Sequence, residues 1–244
     1  MPETSLECPR SLQFFLLPGY MADAALWAEV VPQLSAIGTV SYGDINEGTT
    51  LEQLATRTLR NAPQRFVLVG FSMGGYVART IAQLAPERVA ALILVATSSR
   101  PDTPRQVAAR QAAVEAARRT GAFRGLSMAA IKASVHPDRA GDLALLAAVR
   151  EMGVRLGPEV FATQSSVVRP DTAGTLGRIA CPTLVVAADA DQLRSREESN
   201  ELVAGIPDAE LVVIANSGHM VPMEQPRQLG EAIHGWLRKR GLVP

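Results

Sequence analysis

Histidine and cysteine are both scarce in this chain, and each scarcity narrows what it can do. There are three histidines and two cysteines in 244 residues. Cys8 and Cys181 stand far apart, without the short spacings that gather thiolates around a metal. Nothing supports a disulfide framework. Cys181 directly precedes the apolar run Pro182–Thr183–Leu184–Val185–Val186 and reads as a small buried thiol. An excess of charge is also missing, since Lys+Arg and Asp+Glu balance at 24 each. Phosphate binding needs a net basic surface, so no nucleic-acid partner is expected. No stretch approaches the roughly 18 apolar residues that span a bilayer, so no membrane partner is expected. Met1 to Arg10 holds two acids and one base, and the apolar run at 14–18 is too short for a secretory leader. With so little cysteine, the expected setting is reducing and cytoplasmic.

What is present is ordinary for one large globular domain: 47% hydrophobic and 20% charged residues, enough to bury a sizeable core. Short apolar runs alternate with helical patterns. That alternation predicts an α/β fold, a mostly parallel sheet of about six strands flanked by helices. Strands are expected at 12–17, 39–42, 66–69, 90–95, 183–188 and 211–214. Most are Val-, Ile- and Leu-rich without alternation, as in strands covered on both faces. Helices are expected at 25–37, 51–61 (capped by Thr50), 73–84, 197–203 and 226–240. From about 100 to 176 no strand is legible. Helices at 104–120, 126–135, 138–155 and 159–168 fill the gap. This predicts a core of residues 1–99 and 177–244 with an all-helical cap, 100–176, inserted between two strands.

One turn carries chemistry. The expected strand at 66–69 runs into Gly70–Phe71–Ser72–Met73–Gly74–Gly75 and then into a helix. A serine at such a strand–turn–helix apex takes a strained backbone, and side chains two positions before or after would crowd it. Its hydroxyl stands above the carboxyl edge of the sheet, beside the free N–H groups of a helix N-terminus. A bare Gly-x-Ser-x-Gly is common by chance; the strand before and the helix after give it weight.

Only three histidines can serve as base. His234 lies mid-helix, where an exposed or packed side chain is the simple reading. His136 falls in the predicted cap beside Pro137. His219 follows the strand at 211–214 after a short turn, at the same sheet edge as Ser72, where ligands of open α/β sheets gather. A neutral imidazole there can take and return the serine proton. The strand at 183–188 ends in Asp189–Ala190–Asp191, and either acid could orient the far ring nitrogen. Asp191 is the choice, because a few residues of turn are needed to reach the histidine loop. Asp189 is then a turn or helix-entry residue, and Asp102 lies at the cap entrance.

These segments resemble the α/β-hydrolase superfamily, in particular its small serine carboxylesterases. Val69 to Ala78 resembles the nucleophile elbow, and Ser217 to Pro226 is similar to the histidine loop almost residue for residue. Cys181 to Asp191 is similar to the acid strand, and Leu16–Leu17–Pro18–Gly19–Tyr20 to the oxyanion loop. The resemblance starts at what would be the family's third strand, which implies that one or two edge strands are short or missing. Pro18 stands where a His is usual, and Ala188 where a Gly is frequent. The resemblance implies a Ser72–Asp191–His219 triad and an oxyanion hole from the backbone N–H groups of Tyr20 and Met73, with no metal and no cofactor. It implies a small carboxylic ester, lactone or thioester as substrate. Ser72 argues against family members with an Asp nucleophile. Met220, where carbon–carbon bond hydrolases and hydroxynitrile lyases tend to have Trp, favours esterases, enol-lactone hydrolases and cofactor-free perhydrolases. A ligand receptor on the same fold is the alternative class. The cap's Arg105, Arg110, Arg118, Arg119 and Arg124 read first as a solvated helix face. The functional alternative is docking of an acidic acyl-carrier protein.

Overall fold

The computed structural model describes residues 12–243. Cys8 and the Met1 to Arg10 segment lie outside the described residues. Six strands, β1 (Leu12–Leu17), β2 (Gly38–Tyr42), β3 (Phe66–Phe71), β4 (Val89–Val95), β5 (Thr183–Ala188) and β6 (Ala209–Ile214), form one parallel sheet in the order β2-β1-β3-β4-β5-β6. The inner strands β3 and β5 are buried at every position, whereas the edge strands β2 and β6 are mostly half-exposed. That difference is why the inner runs lack polar alternation.

Side chains alternate between two cores, as the period of a strand requires. Phe14, Leu16, Val67 and Val69 face Trp27 together with Leu34 of α1 (Val31–Ser35) and Leu229 and Ile233 of α9 (Pro226–Lys239). Phe15, Leu17 and Leu68 face the other layer: Leu54 of α2 (Leu51–Leu59), Val77 and Ile81 of α3 (Met73–Leu84) and Leu202 of α7 (Arg196–Gly205). Each such side chain contributes roughly 1.5–3 kcal/mol by leaving water. Because β2 lies outside β1, the chain crosses back over β1 to begin β3. The connections therefore diverge between the adjacent carboxyl ends of β1 and β3, which opens a crevice there.

Between β4 and β5 the described residues hold no strand. Three helices occupy this insertion: α4 (Pro104–Thr120), α5 (Met128–Ser134) and α6 (Leu143–Ser166). A capping box between Thr103 and Gln106 opens α4, and Gly121 in the left-handed conformation closes it. No residue of α4 is fully buried, so this helix rests on α6 rather than entering the core. Ser195 and Glu198 form a second capping box at α7, and Thr50 caps α2 by accepting from the Gln53 N–H.

One helix differs from the sequence expectation in kind. The one expected at 25–37 is a 3-10 turn, Ala24–Trp27, followed by α1, because Pro32 fits the first turn of a helix but not its interior. The two expected at 138–155 and 159–168 are the two runs of α6, which starts at Leu143 and is interrupted where Gly157 takes the non-helical φ 80° and ψ 177° before Pro158. A one-turn helix, α8 (Val221–Glu224), follows the histidine loop and was not legible as periodicity.

Candidate active site

Ser72 sits between the last residue of β3 and the first of α3 with φ 49° and ψ −112°. This backbone is strained for any residue with a Cβ, at a cost of order 1–3 kcal/mol. The surroundings hold it there. The Ser72 N–H donates to the Val95 carbonyl (2.9 Å), and its own carbonyl accepts from Thr97 Oγ1 (2.7 Å) and the Gly75 N–H (3.0 Å). The helix must then approach β1 closely. A Cβ on Gly74 would collide with the Pro18 carbonyl oxygen, and one on Gly70 would stand 2.6 Å from the Gly74 carbonyl oxygen.

That close approach brings the loop after β1 against the start of α3. The Met73 N–H opens α3 and has no preceding helical carbonyl to receive it. Among the described residues the Tyr20 N–H makes no backbone hydrogen bond. The loop is anchored from above by α6: the Met21 N–H donates to Gln164 Oε1 (2.8 Å), and the Tyr20 hydroxyl lies 2.6 Å from Ser165 Oγ. Gln164 is buried and also donates to the Ile45 carbonyl. Pro18 is accommodated in this arrangement without a side-chain hydrogen bond of its own.

His219 Nε2 lies 2.9 Å from Ser72 Oγ, and His219 Nδ1 lies 2.8 Å from Asp191 Oδ2. The Phe71 ring packs against the imidazole with centroids 5.0 Å apart. Asp191 Oδ1 accepts from the N–H groups of Leu193 (2.8 Å) and Arg194 (3.0 Å). Burial pushes the Asp191 carboxyl up. The adjacent His219 and these backbone donors outweigh burial and hold it below the ordinary carboxylate range. Asp189 is elsewhere: exposed, it accepts from the Asn216 (2.9 Å) and Ser217 (3.1 Å) N–H groups and shapes the turn leading to His219. Asp102 lies at the insertion's entrance, between Arg110 and Arg169. His234 is exposed on α9, and His136 Nδ1 accepts from the Asp138 N–H.

A cavity of about 380 Å³ opens above Ser72 and His219. Its apolar lining includes Leu126, Val149, Met152 and Met220, and its polar lining includes Tyr20, Arg110, Arg169 and Arg194. Arg110, read in the sequence as part of a solvated face, is turned inward and pairs with Asp102 at 2.7 Å. Arg105, Arg118, Arg119 and Arg124 are exposed.

Glu224 falls within the segment that resembles the histidine loop, but no sequence signal assigns it a role. This buried carboxylate accepts from the Gly218 N–H (3.0 Å) and the His136 N–H (2.6 Å), tying the histidine loop to the insertion. Burial pushes its carboxyl up, against the pull of those two donors. Cys181 is a free buried thiol, pushed up to about 11 by burial. Among the described residues no cluster of three or more His, Cys, Asp or Glu could hold a metal ion, and no helix is long and apolar enough to cross a membrane.

A family model described as "Alpha/beta hydrolase family" matches residues 14–232. The chain belongs to the alpha/beta hydrolase family. As an alpha/beta hydrolase it is similar in structure to a thermophilic esterase from Thermogutta terrifontis, solved with malate bound. The two are 31% identical, with TM-score 0.82, over 93% of this chain and 90% of that one. An enol-lactonase from Burkholderia xenovorans LB400 shares the fold at 20% identity and TM-score 0.74, over 93% and 92% of the two chains. Among curated relatives, this alpha/beta hydrolase is 38% identical over 91 residues to a pimeloyl-[acyl-carrier protein] methyl ester esterase from Vibrio parahaemolyticus. That match spans 34% of this chain and 36% of the relative, so it covers about a third of the curated protein's length.

Proposed function

We propose that this alpha/beta hydrolase is a serine carboxylic ester hydrolase working through an acyl-enzyme. The observation that carries the reading is the continuous hydrogen-bonded chain from Asp191 through His219 to Ser72 beneath a cavity. Ser72 Oγ attacks the ester carbonyl while His219 Nε2 takes its proton. Asp191 holds the imidazole in the tautomer that presents Nε2 as acceptor, and it stabilises the imidazolium that forms. The N–H groups of Tyr20 and Met73 receive the developing oxyanion, each contributing about 10²–10³ in rate. The carbonyl–alkoxy bond then breaks, and His219 passes its proton to the departing alcohol. Water, deprotonated by His219, attacks the acyl-enzyme; the acid leaves and Ser72 regains its proton. No step calls for a cofactor.

In this reading residues 100–176 act as a cap that forms the roof of the cavity, and 12–99 with 177–243 form the core. The substrate is a small-molecule ester. The names of the Thermogutta and Vibrio relatives both point to ester cleavage, which supports the reaction class. The test is labelling with a fluorophosphonate probe together with hydrolysis of short p-nitrophenyl esters. The expected result is stoichiometric labelling of the wild type, none of Ser72→Ala, and loss of ester turnover in that variant. A wild-type protein that neither labels nor hydrolyses any ester would instead be a ligand receptor on a hydrolase fold.

A further inference from the structure

The lining of the cavity holds more positive charge than the hydrolysis of a neutral ester requires. Arg169 and Arg194 both line the cavity and lie 5.7 and 5.9 Å from the centroid of one ring, that of Tyr76. Arg79 lies against the same ring at 4.8 Å. Arg79 is 2% exposed and has no carboxylate partner; its guanidinium donates to Thr172 Oγ1 and the Ser98 carbonyl. Arg110 shares Asp102 with Arg169. The remaining acid, Glu198, stands 3.4 Å from Arg194 and is also occupied by the Ser195 N–H (2.7 Å). Three of these four guanidiniums, those of Arg110, Arg169 and Arg194, line the cavity, and no Asp or Glu is among its lining residues.

Some of their donors are uncommitted. Asp102 takes up Nε and Nη2 of Arg169. Among the described residues neither Arg169 Nη1 nor Arg194 Nη2 makes a hydrogen bond. An apolar substrate filling the cavity would expel water and leave these donors unpaired, which is costly. A carboxylate would satisfy them, since its two oxygens match the guanidinium fork. The apolar part of the lining, with Leu126, Val149, Met152 and Met220, suits an alkyl chain.

We propose that the ester cleaved here carries a free carboxylate, which docks between Arg169 and Arg194, so that the substrate class is the monoesters of small dicarboxylic acids. This inference rests on the serine ester hydrolase reading, and the experiment keeps the two separable. Wild-type kcat/KM is measured for monomethyl succinate, glutarate and adipate against methyl butanoate, pentanoate and hexanoate. The expected result is a preference of about tenfold or more for at least one carboxylated ester over its length-matched neutral partner. Arg194→Gln lowers kcat/KM for the carboxylated ester several-fold more than for the neutral one, and Arg194→Lys, which keeps the charge, recovers part of the preference. Equal rates on both series, or equal losses on both in Arg194→Gln, overturn the proposal. A second arm titrates glutarate into Ser72→Ala protein by calorimetry. Binding that weakens about tenfold in the Ser72→Ala, Arg194→Gln double variant supports the carboxylate site even if no ester is turned over. Absence of glutarate binding in a protein that labels at Ser72 and cleaves neutral esters overturns the site and leaves the hydrolase reading standing.

Discussion

Asp189 and Asp191 both end the acid strand, but only one of them touches the histidine. Asp191 is buried, and its second oxygen is held by two backbone N–H groups, so the carboxylate cannot rotate away from His219 Nδ1 without losing both. Replacing it with Asn keeps the shape and presents an N–H where an acceptor is needed, which favours the wrong tautomer. Asp191→Asn is expected to lower kcat by about 10³–10⁴. Asp189→Asn keeps one acceptor for its two donors at an exposed turn and is expected to cost less than about tenfold. Steady-state hydrolysis of one p-nitrophenyl ester by both variants checks this; a larger loss at Asp189 would reassign the acid. Ser72 and His219 were legible because glycine spacing and strand order place them at one sheet edge. The arginines around Tyr76 were not. Arg110 reads as surface because α4 has no fully buried residue and thus no strong apolar face. Its partner Asp102 is shared with Arg169, a residue brought in from the far end of the insertion, and such long-range pairing leaves no local pattern.

The elements show the same division between local and distant causes. Strands buried on both faces announce themselves as apolar runs, and β1 and β5 fall where the sequence puts them. Boundaries set by a single residue are uneven to read: Pro32 divides one expected helix, whereas the break at Gly157 and Pro158 parts the two runs of α6 between the helices expected at 138–155 and 159–168. The link between α8 and the histidine loop is wholly tertiary. Glu224 uses both oxygens, one for Gly218 directly before His219 and one for His136 in the insertion. Glu224→Gln offers one acceptor and turns an N–H group toward a second backbone donor. The expected outcome is a lower Tm, faster amide exchange at Gly218 and a several-fold lower kcat, with labelling of Ser72 slowed rather than abolished. Unchanged exchange at Gly218 would show that the loop is held without this carboxylate.

For the whole molecule, the insertion decides what reaches the site and how its own ends are held. Arg105, Arg118 and Arg119 remain exposed on α4, away from the Arg110–Asp102 pair. The small-ester reading predicts that replacing all three with Ala leaves kcat/KM for short esters within about twofold. A selective loss on an acyl-carrier-linked ester would make this face a docking site and the carrier-bound ester the substrate. The two ends of the insertion meet at Asp102. Its N–H donates to the Arg169 carbonyl (2.9 Å), its side chain is 3% exposed, and it pairs with Arg110 and Arg169. Burial pushes the Asp102 carboxyl up, but the hydrogen bonds from Arg169 and Arg110 win and bring it down to about 2 from an ordinary 3.8. A carboxyl lowered on folding adds stability above its unfolded value and loses it as pH falls through the folded one. That contribution is on the order of 2 kcal/mol, present above about pH 4 and gone near pH 2. Removing the charge while both arginines stay buried is more severe, and Asp102→Asn is expected to cost about 3–5 kcal/mol at neutral pH. Urea unfolding of wild type and Asp102→Asn between pH 6 and pH 2 should therefore show two stability curves that converge as pH falls. Curves that stay parallel would mean that the ends of the insertion are held by packing and backbone hydrogen bonds alone.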